Sequence, residues 1–185
     1  MLHACNAVDG TAKKTYPNIQ GSNLRFTQLL RDNYHVLGPM GVPGINLEDT
    51  RFPVKVAKPK APGGQPDMAD LIYGIHRCTH GHGDELPGGF QLIQNAAGPD
   101  NYTRMEFTKE GGARLSDRII FGLLAVAIMS PLNKDQRVPG NYYLTFGPEK
   151  LVINEWWGRV TDFSQVVATG NQIPSIKIDF NDWMK

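Results

Sequence analysis

The sequence predicts a mainly α, α+β fold: a four-helix core with a small antiparallel hairpin or sheet in the C-terminal third. Three observations carry this reading. Apolar residues recur at three- and four-residue steps in four separate segments before position 131. Beyond position 140, short alternating runs are punctuated by Gly and Pro. The composition, 41% hydrophobic and 20% charged over 185 residues, suits one globular domain with a sizeable core.

The elements follow in order. Leu2, Cys5, Val8 and Ala12 make one apolar stripe on a first helix, which Tyr16, Pro17 and Gly21 end. Ser22 or Asn23 caps a second helix, where Phe26, Leu29, Leu30 and Tyr34 share a face. Residues 37–64 are rich in proline and glycine and read as an irregular insertion, with one short strand at 52–56. Pro66, Asp67 and Asp70 open a third helix, its buried face marked by Met68, Leu71, Ile72, Ile75 and Thr79; Gly81 and Gly83 end it. Residues 90–93 and 102–107 read as a hairpin around 97–100. Ser116 caps a fourth helix that is apolar on every side over 119–129, and Pro131 stops it.

The last part, 140–180, reads as a β-rich extension of the same domain. Residues 142–146 and 150–155 flank Gly147-Pro148-Glu149 as a hairpin, and Ile176, Ile178 and Phe180 alternate as a strand with one wet face.

Composition also bounds function. A net charge of +1 means that a nucleic-acid binder must rely on a local basic patch. Cys5 and Cys78 lie far apart, which suits a reducing compartment better than a disulfide framework. No charged leader precedes an apolar run at the N-terminus, and 119–129 is about a third short of the roughly 18 residues that span a bilayer. The chain is therefore expected to be soluble and cytoplasmic, without a membrane partner. A helical pattern that begins almost at Met1 leaves room for an upstream segment. Gly38, Gly41 and Gly44 have the wrong spacing for a phosphate-cradling loop, and no cofactor is expected.

Chemistry concentrates in 76–85, His-Arg-Cys-Thr-His-Gly-His-Gly-Asp-Glu, which holds three of the five histidines. Arg77 and His82 have the residue types of a metal-free ribonuclease. A guanidinium binds phosphate oxygens through a planar fork, and an imidazole moves protons near neutral pH. Five residues apart, they project about 140° from one another on a straight helix. They converge if the helix unwinds at Gly81, or if two chains present the cluster across a dimer axis. The plain alternative pairs Arg77 with a local carboxylate and leaves His82 in a turn.

A second chemistry is a metal site. His76, His80, His82, Asp84 and Glu85 are zinc or nickel ligand types, and His76 and His80 share a helix face, but no matching half lies elsewhere. Outside the cluster, Arg51, Lys55, Lys58 and Lys60 form a basic segment able to track an RNA backbone or simply to stay solvated. Trp156-Trp157 either stacks bases or anchors a hairpin on the core.

The run 72–90, Ile-Tyr-Gly-Ile-His-Arg-Cys-Thr-His-Gly-His-Gly-Asp-Glu-Leu-Pro-Gly-Gly-Phe, resembles the motif helix of the HEPN superfamily, and the opening 3–13 resembles the first helix of such domains. The resemblance covers about residues 1–131. It implies an up-and-down four-helix core that dimerises through the motif helix, and RNA cleavage without metal in a toxin, defence or stress setting, with an antitoxin or other protein as a further partner. Arg77 would hold the scissile phosphate and His82 would act as general acid or base, with Cys78, His80, His76 and Glu85 in support. Cys78 stands where active members more often carry Asn, Asp or His. That departure keeps open a non-catalytic interaction or nucleotide-binding domain, and a metal-dependent hydrolase built on His76, His80 and His82 is the other alternative.

Overall fold

The computed structural model describes residues 1–82, 89–95, 103–170 and 174–180, and for 77–82 the helical backbone alone. Its first helix, α1 (Leu2–Thr15), buries Ala4, Cys5, Val8, Thr11 and Ala12 on one face and places Lys13 and Lys14 at the negative end of its dipole. Burial pushes the Cys5 thiol up to about 12, so it is a core group rather than a nucleophile. Asn133 fixes α1 to the far end of the core by donating to Thr11 Oγ1 (2.9 Å) and to the carbonyl of Ala127 (2.8 Å).

The second helix, α2 (Ser22–Asp32), stops two residues sooner than its apolar stripe predicts. Asn33 Nδ2 donates to the carbonyl of Leu29 (2.8 Å), and a side chain that competes for a helix carbonyl breaks the run. Tyr34, expected on the face of the second helix, instead begins α3 (Tyr34–Gly41), whose residues 37–41 extend into what the sequence predicts to be irregular chain. The glycines there serve packing. A methyl added at Gly122 would lie 2.9 Å from the Gly41 α-carbon, so two backbones meet where no side chain fits.

The expected strand at 52–56 does not form. Its amides go singly to scattered acceptors, Phe52 to the carbonyl of Pro66 (2.8 Å) and Lys55 to that of Gly111 (3.0 Å), which makes no ladder. Helix α4 (Met68–His82) then forms, burying Met68, Ala69, Leu71, Ile72 and Ile75; the side chain of Thr79, expected on the same face, lies outside the described residues.

Strands β1 (Phe90–Ile93) and β2 (Met105–Phe107) are both present but do not pair with each other. Each pairs with β3 (Ala113–Ser116), β1 in parallel and β2 antiparallel, so the expected hairpin gives way to a sheet of order β1-β3-β2. Helix α5 (Arg118–Met129) follows directly, with Ser116 Oγ accepting from the Arg118 amide at 3.2 Å. It is nearly all buried, as its apolar run predicts, although Phe121 stays half exposed.

The hairpin in the last third forms from β4 (Tyr143–Phe146) and β5 (Glu149–Val152), with Gly147 at φ +56 in the turn. The expected β-rich character ends there. Residues 153–155 belong to α6 (Ile153–Trp156), and α7 (Val160–Thr169) packs against α3 through this part of the chain. Phe163 supplies the reason: it is fully buried, with Phe146 and Trp156 edge-on to its ring at 5.3 and 6.3 Å. The Trp pair therefore lies against the core, where it anchors the hairpin. Ile176 forms one parallel bridge to Ile45, and the segment around it is extended without joining a sheet.

Among the described residues the fold is thus mixed α/β, with seven α-helices, a three-stranded sheet and a two-stranded sheet. No described helix is long and apolar enough to cross a membrane.

Candidate functional site

The start of α4 is fixed by a buried charge cluster. Asp67 precedes the helix and accepts the Asp70 amide on Oδ1 at 3.0 Å, a side-chain cap on the first turn. Arg31 of α2 grips the same carboxylate with both prongs, at 2.7 and 3.0 Å, and reaches Asp70 Oδ2 at 3.1 Å. Tyr34 accepts the Ala69 amide at 3.0 Å. Burial opposes the charge on Asp67, but the Arg31 hydrogen bonds, the Asp70 amide, the Arg31 charge and the Tyr34 hydroxyl outweigh it. Its carboxyl is held below the ordinary range.

Asp70 extends this cluster to the basic segment. Its Oδ1 accepts the Lys60 amide and its Oδ2 the Ala61 amide, both at 2.8 Å. Further along, Val56 Cγ1 lies 3.1 Å from where a Gly74 methyl would sit, so the loop rests against a side-chain-free patch of α4. The segment 55–61 therefore lies alongside α4 between Asp70 and Gly74. Lys55, Lys58 and Lys60 are exposed, and none makes a salt bridge among the described residues. Lys58 adopts φ +56, a left-handed conformation that ordinarily favours glycine. Arg51 takes another course, donating to the carbonyls of Glu48 (2.8 Å) and Thr50 (3.1 Å) in its own loop.

His76 is a core residue. It is 5% exposed, stacks on Phe26 at 5.2 Å and meets Tyr73 edge-on at 6.3 Å. Arg77, Cys78, His80 and His82 occupy the last turn and a half of α4. Their side chains, and Asp84 and Glu85 altogether, lie outside the described residues. The backbone is helical through Gly81 and His82, which leaves Arg77 and His82 about 140° apart around the axis. The unwinding at Gly81 that would let one chain bring them together is not the conformation of this backbone. Among the described residues no three His, Cys, Asp or Glu side chains gather as metal ligands.

Sequence reasoning assigned Asp67 and Asp70 to the helix dipole and gave Arg31 no role. No local signal marks that clamp, because its cation and first carboxylate are 36 residues apart.

These features define a mixed α/β protein in which an exposed basic loop is clamped along a helix that ends in arginine and histidine. The chain matches the family described as Rv1289 over residues 1–184, and it belongs to that family. Two relatives are the Uncharacterized protein Rv1289 of Mycobacterium tuberculosis and the Uncharacterized protein Mb1320 of Mycobacterium bovis. Each is 40% identical over 184 residues, covering 98% of this chain and 84% of the relative. No solved structure matches the chain.

Proposed function

We propose that the protein is a HEPN-like, metal-independent endoribonuclease of a toxin, defence or stress system, acting in the cytoplasm as a homodimer without a cofactor. The single observation that supports this reading is the course of the basic loop. Lys55, Lys58 and Lys60 are held along the helix whose next turn carries Arg77, since Gly74 is three residues, about 4.5 Å of helix rise, before it. A strand of RNA lying on the lysines would bring its phosphates to that turn. The packing of α1 against α2, α4 and α5 is compatible with the four-helix, up-and-down core that the resemblance implies.

In this reading Arg77 holds the scissile phosphate. A ribose hydroxyl attacks the adjacent phosphorus, the bond to the leaving oxygen breaks, and a cyclic phosphate remains. His82 takes the proton from the attacking hydroxyl or gives one to the leaving oxygen. Because the two residues diverge around a helical backbone, the site is composite: Arg77 of one chain works with His82 of its partner. Cys78 in place of the usual polar residue favours a second reading, RNA binding without turnover. A metal hydrolase draws no support from His76, whose ring is packed in the core.

RNA incubated with the protein tests this. Cleavage that persists in EDTA and disappears in both Arg77→Ala and His82→Ala, with the fold intact by circular dichroism, supports the ribonuclease. Binding without cleavage selects the second reading, and neither binding nor cleavage rejects both.

A further inference from the structure

We propose that the cleft beside the C-terminal extended segment binds a small, uncharged, largely apolar molecule that carries one hydrogen-bonding group. None of the residues assigned above to RNA takes part in this site, so it stands apart from that reading. The cleft is open to solvent on one side and offers about 340 Å³, within the range of small-molecule sites. Three segments line it: Val42 and Ile45 after α3, Met105 and Phe107 of β2, and Ile178 with Phe180 near the C-terminus.

The walls are fixed before any ligand arrives. The Ile176 amide donates to the carbonyl of Gly44 (3.1 Å), and the Asn46 amide to that of Ile176 (2.9 Å). The Ile178 amide donates to Thr50 Oγ1 at 3.2 Å, on a threonine that is itself fully buried. Phe107 and Phe180 meet edge to face at 5.4 Å and 73°, which sets the angle between two walls. Met105 adds an adaptable thioether surface.

The lining also decides the ligand's charge. No ionisable side chain is among its described lining residues, so a charged ligand would find no counter-charge there to offset the water it gives up. One polar group is present. Thr103 lines the cleft, and its Oγ1 is buried without a hydrogen-bond partner among the described residues. A buried hydroxyl left in that state is disfavoured and calls for an explanation. A turn about χ1 exchanges the hydroxyl with the methyl on the same carbon, so one rotamer step presents a donor and acceptor to a ligand. A neutral molecule with a single N–H or O–H on an apolar body fits both features.

Isothermal titration with indole, and with indene as the same bicycle lacking the N–H, tests the site. Indole is expected to bind saturably and indene about fivefold more weakly. Thr103→Val keeps the shape and removes the hydroxyl, so it should reduce indole to the level of indene while raising the melting temperature of the unliganded protein. Met105→Trp fills the cleft and should abolish both interactions; if it does not fold, Ile45→Phe serves the same purpose. Absence of saturable indole binding overturns the proposal. So does binding that survives the filling substitution in a folded protein, or a preference for indole that survives Thr103→Val.

Discussion

The two ends of α4 carry opposite kinds of chemistry. At its start, Asp67 and Asp70 are buried against one guanidinium, that of Arg31, and three backbone amides. At its other end the helix carries Arg77, Cys78, His80 and His82 on its backbone, beyond His76, which is buried. The contrast between the two ends teaches that titratable residues can serve the fold: those at the start of α4 fix its position through partners distant in sequence. The loop 55–61 joins the two, because Asp70 holds it at one point and Gly74 receives it one turn on.

Breaking the clamp should give the largest effect. Arg31→Ala leaves two buried carboxylates without their cation, and urea denaturation is expected to show a loss of about 3 kcal/mol. A loss within experimental error would mean that the charges do not organise the helix start. The pH dependence sharpens the point. Asp67 titrates below its unfolded value, so its contribution is present above the ordinary carboxylate pKa, about 4. That contribution is lost as pH falls through the lower folded value. In Arg31→Met, burial is opposed only by the Asp70 amide and the Tyr34 hydroxyl, so the folded pKa should rise and the loss of stability on acidification should become shallower over the same range. Thermal melts between about pH 5 and 3 distinguish the two slopes.

Asp70→Asn comes next, with an expected cost of about 1.5 kcal/mol from the lost ion pair to Arg31 and the loss of one of the two amide bonds, since only one oxygen remains to accept. Its more specific effect is release of the loop, read as faster tryptic cleavage after Lys60. Cleavage at the wild-type rate would show that Asp70 does not tether the segment. The smallest change is expected from Lys58→Gly. It removes the positive-φ strain and should stabilise by about 0.5 kcal/mol, while RNA binding weakens through the lost charge. Stabilisation and weaker binding in one variant would separate the loop's fold from its function.

Much of the fold was legible in the sequence because three apolar stripes have the helical period, a fourth segment is apolar all round, and actual burial follows them. What escaped was set by contacts distant in sequence. Helix α3 hides behind Gly38, Pro39 and Gly41, residues that read as breakers until Gly41 is seen against Gly122. Strand β3 is four residues long beside a helix start, and its sheet partners come from two separate segments. In α7, Phe163 turns a stretch that looked extended into a helix packed on the core. At the site, the basic loop and the motif helix were each visible alone. Their adjacency depends on Asp70 and Gly74, whose roles no local pattern announces.

The central claim, a composite site, is tested most directly by mixing Arg77→Ala with His82→Ala under conditions that let subunits exchange. Each variant alone should be inactive towards RNA. A mixed dimer contains one site with both residues intact, so free exchange should restore about a quarter of wild-type cleavage. Active wild type beside a mixture that stays inactive, with exchange demonstrated, would contradict the account.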